Sequence, residues 1–596
     1  MGASHKLYTK GKIMDRIIEY DVDVQLINVA GEGDLHYMAD FPYGMALIAG
    51  YLREKGFKTL MLQYPTWIKG EYEGQILDNP AYLYGFQVNF SNYTEIKALV
   101  KLIKTRNPNG RIIFGGPFII TFYEEVLKND PDLDAVVLGE GEYTTAELIE
   151  LLKQDSPAWK LTRGLAWRDE NGKIIVNPPR PAIQDLDAMP FAARDGITDG
   201  VYDFEGKYMN DARITTSRGC TSNCTFCAVN LSRKLQRAKR WRGRSPINVV
   251  DEIQELVERY NVKLINFQDS SFDDPGKLGF KRNRIICEEI LNRGLDVSMK
   301  VYMRANAIKD DPESIELYKL YKEAGMDVVI IGAEAGSDYE LDLYGKSAKL
   351  ADNYRSLRIL NDLDLFFVHV GFIMFGPYSS LSTLRQNIQF LRENQLFYWY
   401  PSFTNGLILL PGSAIFDSMK REGRLLPRKN FWEFSDYEFE NPLILKLAQH
   451  YQYLRTIYPY IDVGSPLMLT VQNIITRLKN KMNQRVAIAC ESEIEQFKHI
   501  FYRNKNILNE LGYLGSLENI ERIEKDGLEA NLMLSSEPYF GKKWEVAVYE
   551  TQEAYETLID AINAKGFGLG GLVFNVELVK RERQTDVYEN MKYKNR

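Results

Sequence analysis

The chain has 596 residues, 45% hydrophobic and 26% charged, the balance of a globular protein long enough for several cores. Its formal charge of −7 excludes a global basic field that would draw it onto nucleic acid. Five cysteines are too few for a disulfide framework, no apolar run reaches bilayer length and no basic-then-apolar leader opens the sequence, so a cytoplasmic protein with no membrane span is expected.

Residues 1–20 read as an extension. Residues 21–150 alternate short apolar strands with amphipathic helices: strands at Val22–Val29, Lys58–Gln63, Leu83–Val88, Arg111–Phe114 and Ala135–Leu138, and helices at Tyr43–Gly56 and Thr94–Thr105. Alternating βα units predict a Rossmann-like, doubly wound parallel sheet, in which ligands sit beyond the carboxyl ends of the strands. Those ends carry Asn89, Ser91, Gly115, Gly116 and Glu140, and the glycines let backbone N–H groups come close to a nucleotide.

Residues 151–205 read as a linker, with a hairpin turn at Asp169–Gly172 and stiffening prolines at 178, 179 and 181. A second βα series runs over 206–420. It has a helix at Pro246–Tyr260 and strands at Arg213–Ser217, Leu264–Phe267, Val297–Tyr302, Val328–Ile331, Val368–Phe375 and Gly406–Leu410. Their spacing is that of a βα barrel, whose functional residues lie at strand C-termini. Residues 421–596 turn mainly helical. A closing unit follows at Trp544–Tyr549, then a helix, then Gly571–Val576.

The most informative stretch is Cys220-x3-Cys224-x2-Cys227, directly after the Arg213–Ser217 strand. Three thiolates on one loop can hold three irons of a cubic cluster and leave the fourth open, as catalysis requires. A structural zinc site is the other reading. It needs a fourth ligand folded in from a distance, because none of His5, His36, His369, His450 and His499 lies near in sequence. Cys287 and Cys490 sit among aliphatic residues and read as core. The basic run Arg233–Arg244 is either a charged-ligand site or a solvated face.

The cysteine triad, with Phe226 before its last member, resembles the signature of the radical S-adenosylmethionine superfamily. The order of Phe41–Leu52, Gly115-Gly116-Pro117, Val136–Glu142, Arg244–Pro246, Phe267–Phe272, Arg304-Ala305, Gly332–Ser337, Gly371–Pro377 and Pro411–Ser413 is similar to the subgroup with an N-terminal cobalamin-binding domain. The resemblance covers about residues 21–420. It implies a mixed α/β protein with a cobalamin-binding domain at 21–150 and a partial barrel at 206–420; residues 421–596 lie outside the resemblance and are expected to form a mainly helical, substrate-contacting domain.

The resemblance also implies chemistry. The open iron would chelate S-adenosylmethionine, an electron would break the sulfonium C–S bond, and the resulting radical would abstract hydrogen from an unreactive carbon. Cys220, Cys224 and Cys227 would hold the 4Fe–4S cluster and Phe226 would pack near the adenine. Gln268, Asp269 and Ser270 would meet the methionine amine, and Arg304 and Glu334 the carboxylate or ribose. Asp34-Leu-His36 is similar to a cobalamin signature that supplies an axial histidine, with Ala39 at its glycine position. Asn89, Ser91, Gly115, Gly116 and Glu140 would then serve the cobalamin nucleotide tail. An external donor of flavodoxin or ferredoxin type would supply electrons.

The expected reaction is methyl transfer from methylcobalamin to an unactivated carbon of a peptide or other natural-product precursor. Radical cyclisation or rearrangement without methyl transfer is the alternative. Methylthio transfer to RNA would need more cysteines and a basic tail, and a non-catalytic cofactor carrier would form no 5′-deoxyadenosine. The aromatic segment Phe397–Phe403 reads either as cleft or as core.

Overall fold

The computed structural model describes residues 20, 22–31, 42–64, 73–195, 200–202, 208–432, 435–457, 459–480, 483–532 and 537–567. They fall into two compact units, 1–180 with 190–196, and 181–189 with 197–596.

The first unit is built on a seven-stranded sheet of β1 (Val22–Val29), β2 (Thr59–Tyr64), β3 (Ala81–Gln87), β4 (Arg111–Gly115), β5 (Ala135–Val137), β6 (Leu165–Arg168) and β7 (Ile174–Val176). Their order is β2-β1-β3-β4-β5-β6-β7. The first five strands are parallel, and β1 is buried along all but its first residue, as a strand covered on both faces must be. The strand order reverses at β1, which creates a switch point between β1 and β3 where ligands of such sheets bind. Part of the stretch expected to be a linker extends this sheet: β6 and β7 pair antiparallel about the Asp169 turn, whose carboxylate accepts the Asn171 and Lys173 N–H groups.

The second unit carries β8 (Gly200–Tyr202), β9 (Tyr208–Ile214), β10 (Ser217–Gly219), β11 (Trp241–Gly243), β12 (Val262–Phe267), β13 (Ser298–Arg304), β14 (Met326–Glu334) and β15 (Phe367–Phe372). Six of them form a partial βα barrel in the order β15-β14-β13-β12-β9-β8, parallel except for β8. Along β12–β14 one face is buried aliphatic (Ile265, Val301, Ile331) and the alternate residues are less buried, which fixes which side chains reach the strand ends. The helix Pro246–Tyr260 shows the local logic: Ser245 caps the Asn248 N–H, Pro246 opens the first turn, and Asn261 closes it in a left-handed conformation.

Three expectations change. The strand Arg213–Ser217 is two strands, β9 ending at Ile214 and β10 starting at Ser217; β10 leaves the barrel and pairs with β11 alone. Gly406–Leu410 alternates like a strand, with Leu407 and Leu409 buried and Ile408 exposed, yet only Gly406 bridges, to Phe375. Trp544–Tyr549 lies inside the helix Glu537–Ala564, where buried Trp544, Ala547, Val548, Thr551 and Tyr555 follow the helical period. Gly571–Val576 lies outside the described residues.

The C-terminal helices share one hydrophobic core with the barrel: Val370 and Phe372 of β15 pack with Ile444, Val471, Phe501 and Trp544. Phe397, Tyr398, Tyr400 and Phe403 lie in that core. Cys287 and Cys490 are also buried. Among the described residues no helix is long and apolar enough to cross a membrane.

Candidate cluster and cofactor site

The cysteine loop starts where β10 ends. Gly219 is obligatory there: its φ is +94° and an added Cβ would meet the Arg240 carbonyl at 2.2 Å. The three thiols are half-exposed. Cys220 Sγ accepts the Ser222 N–H at 3.4 Å, and the Cys227 N–H meets the Cys224 carbonyl at 3.3 Å.

Thr225 fastens the middle of the loop. Its N–H and hydroxyl donate to the Tyr344 and Leu343 carbonyls at 2.8 and 3.0 Å, and its own carbonyl accepts the Ile415 N–H at 3.0 Å. Phe226 stands edge-on to Tyr344, with centroids 5.7 Å apart.

Buried carboxylates from the β12 turn hold the start of the loop. Asp269 is 2% exposed, and its oxygens accept the Thr216 N–H and hydroxyl at 2.9 and 2.7 Å and the Ser217 hydroxyl. Burial raises its pKa, against those hydrogen bonds. Asp269 is thus spent on the chain entering the loop, while Gln268 and Ser270 on either side are exposed.

Asp274 accepts the Thr221 N–H and hydroxyl. Arg304, at the end of β13, pairs with Asp273 and Asp274 at 2.6 Å and donates to Thr221 and Ser222 at 2.8 and 3.3 Å. Burial opposes its charge, but the two aspartates more than offset it. In this state the guanidinium braces the loop.

Glu334 ends β14 with φ at +67°, a left-handed conformation unusual for a residue with a side chain. Its carboxylate pairs with Lys346 at 3.3 Å. The Cys224 thiol is raised by burial, which Lys346 counters and Glu334 reinforces. Burial pushes the Cys220 thiol up to about 11. Both are therefore protonated at neutral pH without metal, and ligation must release protons.

Among the described residues no three His, Cys, Asp or Glu side chains are gathered around one ion position. A cubic cluster needs a different arrangement, one thiolate on each of three irons, and three half-exposed thiols on a braced loop are a donor set that fits it.

In the first unit, Asn89 Oδ1 accepts from the Ser91 N–H and hydroxyl at 2.9 and 2.8 Å and from the Asn92 N–H at 3.0 Å. Fully buried Asn92 donates to the Val29 and Gln87 carbonyls at 3.0 and 3.1 Å, tying the ends of β1 and β3 at the switch point. Gly115 ends β4 with nothing within 4 Å of an added Cβ, and Gly116 turns with φ +114°. Open space at a glycine strand end can admit a nucleotide tail. Glu140 is half-buried after β5. His36 lies outside the described residues.

Sequence reasoning missed Thr221, Asp273, Asp274, Lys346 and Asn92 as site residues. Asp273 and Asp274 directly follow the Phe267–Phe272 motif, and Asn92 closes a quartet whose first and third members were chosen. No sequence signal marks Lys346. Of the basic run, Arg244 is buried against Glu252 and Arg242 against the Ile183 carbonyl, so these two are structural.

Residues 214–391 match the Radical SAM superfamily, and residues 41–149 match the B12 binding domain. The chain thus carries a Radical SAM domain with a B12 binding domain ahead of it. Together the two domains imply a 4Fe–4S cluster, S-adenosylmethionine and cobalamin as cofactors.

It is 31% identical over 314 residues to the uncharacterized methyltransferase PH0819 of Pyrococcus horikoshii, covering 53% of this chain and 64% of that protein. It is 26% identical over 420 residues to the anaerobic magnesium-protoporphyrin IX monomethyl ester cyclase of Rubrivivax gelatinosus, covering 68% of this chain and 69% of that one. The chain thus spans less than two thirds of the Pyrococcus protein. Its fold is similar to the cobalamin-dependent S-adenosylmethionine radical enzyme OxsB with aqua-cobalamin bound, with a TM-score of 0.66 at 19% identity, over 94% of this chain and 83% of that one.

Proposed function

We propose that this enzyme transfers a methyl group from methylcobalamin to an unactivated carbon of a peptide or other natural-product precursor. The observation that carries the reading is a braced three-cysteine loop in a chain that also matches the B12 binding domain. The relative named a methyltransferase supports methyl transfer over other outcomes. When bound, the cluster with S-adenosylmethionine supplies hydrogen-atom abstraction, and cobalamin supplies a transferable methyl group.

In this reading Cys220, Cys224 and Cys227 hold three irons. Asp269, Asp273, Asp274 and Arg304 keep the loop in shape. Gln268 and Ser270 take the methionine amine, Glu334 takes the ribose or amino-acid end, and Phe226 shields the adenine side. Asn89, Ser91, Gly115, Gly116 and Glu140 would serve the cobalamin tail, with His36 as a candidate cobalt ligand. Residues 21–150 bind cobalamin, 206–420 form the radical region, and 421–596 contact the substrate. A flavodoxin- or ferredoxin-type protein of the cytoplasm donates electrons.

The test is anaerobic expression with cobalamin, an iron count, a visible spectrum and product mass. Iron, bound cobalamin and a product heavier by one methyl are expected. S-Adenosylmethionine consumption with product never methylated would sink methyl transfer. It would favour the second reading, radical cyclisation or rearrangement, which the cyclase match over 68% of the chain supports.

A further inference from the structure

Lys346 takes no part in the chemistry proposed above, yet the fold delivers it to the cysteine loop. The stretch Leu343–Gly345, directly before Lys346, is stitched to that loop residue by residue. Leu343 and Tyr344 give their carbonyls to Thr225. Gly345, with φ +62°, lies so close that an added Cβ would be 3.0 Å from the Asn223 carbonyl. The next side chain, Lys346, is 9% exposed, and its ammonium donates to the Gly332 carbonyl at 3.0 Å and to Glu334 at 3.3 Å.

Glu334 is thereby held in a left-handed conformation that costs of order 1 kcal/mol for a residue with a Cβ. Tyr344 and Gly345 touch Thr225 and Asn223, the two residues that flank Cys224, so the opposite charges of Lys346 and Glu334 are brought to that corner of the loop.

A bland reading makes the pair a strap for the end of β14. Partly buried ion pairs are poor stabilisers, because desolvation offsets most of their attraction, so a strap alone is weakly motivated. A cation beside a cluster sulfur does more. Reduction adds one negative charge to the cluster, and a neighbouring positive charge stabilises that form.

We propose that Lys346 is a charge-setting residue of the cluster site: its ammonium fixes the Glu334 carboxylate and places a positive charge at the Cys224 corner, easing one-electron reduction of the cluster. The external low-potential donor loses that electron and the cluster gains it, with no bond or proton exchanged. The inference rests on the reading that the triad holds a cluster.

Wild type, Lys346→Met, Lys346→Arg and Glu334→Gln are reconstituted anaerobically, their iron is counted, and each is titrated redox-wise by electron paramagnetic resonance. Lys346→Met should disfavour reduction about tenfold, ~59 mV for one electron. Glu334→Gln should shift the potential upward, and Lys346→Arg should stay near wild type. A strap would move the potential in neither variant, or in both the same way, and either result overturns the proposal. Should Lys346→Met hold no iron, Glu334→Gln decides alone: no upward shift, no charge-setting role. Wild type without a cluster would instead overturn the reading beneath it.

Discussion

The two parallel sheets present their strand ends by different chemistry. After β3 and β4 the turns are neutral: Asn89 and Asn92 satisfy backbone and each other, and Gly115 leaves open space. After β12, β13 and β14 the turns are ionic: Asp273 and Asp274 with Arg304, and Glu334 with Lys346. Neutral backbone and glycine space suit a bulky cofactor held by shape and main-chain contacts. Fixed charges suit a site that must bind a zwitterion and pass an electron, because charges act strongly where water is scarce.

The sharpest break in this contrast is Cys224→Ala. It should lose bound iron and all 5′-deoxyadenosine formation while leaving cobalamin binding intact, measured by iron assay, chromatography and visible absorbance. Next comes the ionic scaffold. Asp273→Ala removes one of the two carboxylates that hold Arg304 and the three hydrogen bonds Arg304 makes to it, with Asp274 remaining. It should cost about 3 kcal/mol, read by thermal unfolding together with a fall in iron content.

The neutral scaffold should be more forgiving. Asn92→Leu removes three hydrogen bonds, to the Val29 and Gln87 carbonyls and from the Asn89 N–H, for about 2 kcal/mol in denaturant unfolding. Gly115→Val enters open space, so the melting temperature should hold while cobalamin affinity falls about tenfold, or ~1.4 kcal/mol.

The smallest effect, down to about pH 6, is one of pH. Burial lowers His369 and His450, both in the second unit, to about 4, whereas the unfolded chain titrates near 6.5. Between those values the unfolded state binds more protons, so stability rises with pH and is lost as pH falls from about 6.5 to about 4. Linkage puts the loss at about 1 kcal/mol per ring by about pH 6 and about 3 kcal/mol by about pH 4. The described residues of the first unit contain no histidine. Acid should therefore weaken the second unit first, and His450→Phe should flatten that slope in calorimetry.

Much of this was legible from residue order. Val22–Val29 is a strand to the residue and Pro246–Tyr260 a helix to the residue, because a continuous apolar run and a Ser-Pro cap are local signals. The thiol spacing, Gly219 before it and the glycine after β4 are local too. The sequence therefore determined the chemistry on offer: three thiols on one loop, and strand ends rich in glycine and asparagine.

Tertiary structure alone decided which polar residues serve that loop. Asp269 looks like a ligand contact from its place after β12, yet the fold turns it onto Thr216 and Ser217. Arg304 is drawn onto Asp273 and Asp274, and Lys346, 122 residues after Cys224, reaches its neighbourhood through the contacts of Leu343, Tyr344 and Gly345 with Thr225 and Asn223. Electrostatics and hydrogen bonds act over a few ångströms of space, not along the chain, so such partnerships exist only once the barrel has closed the distance.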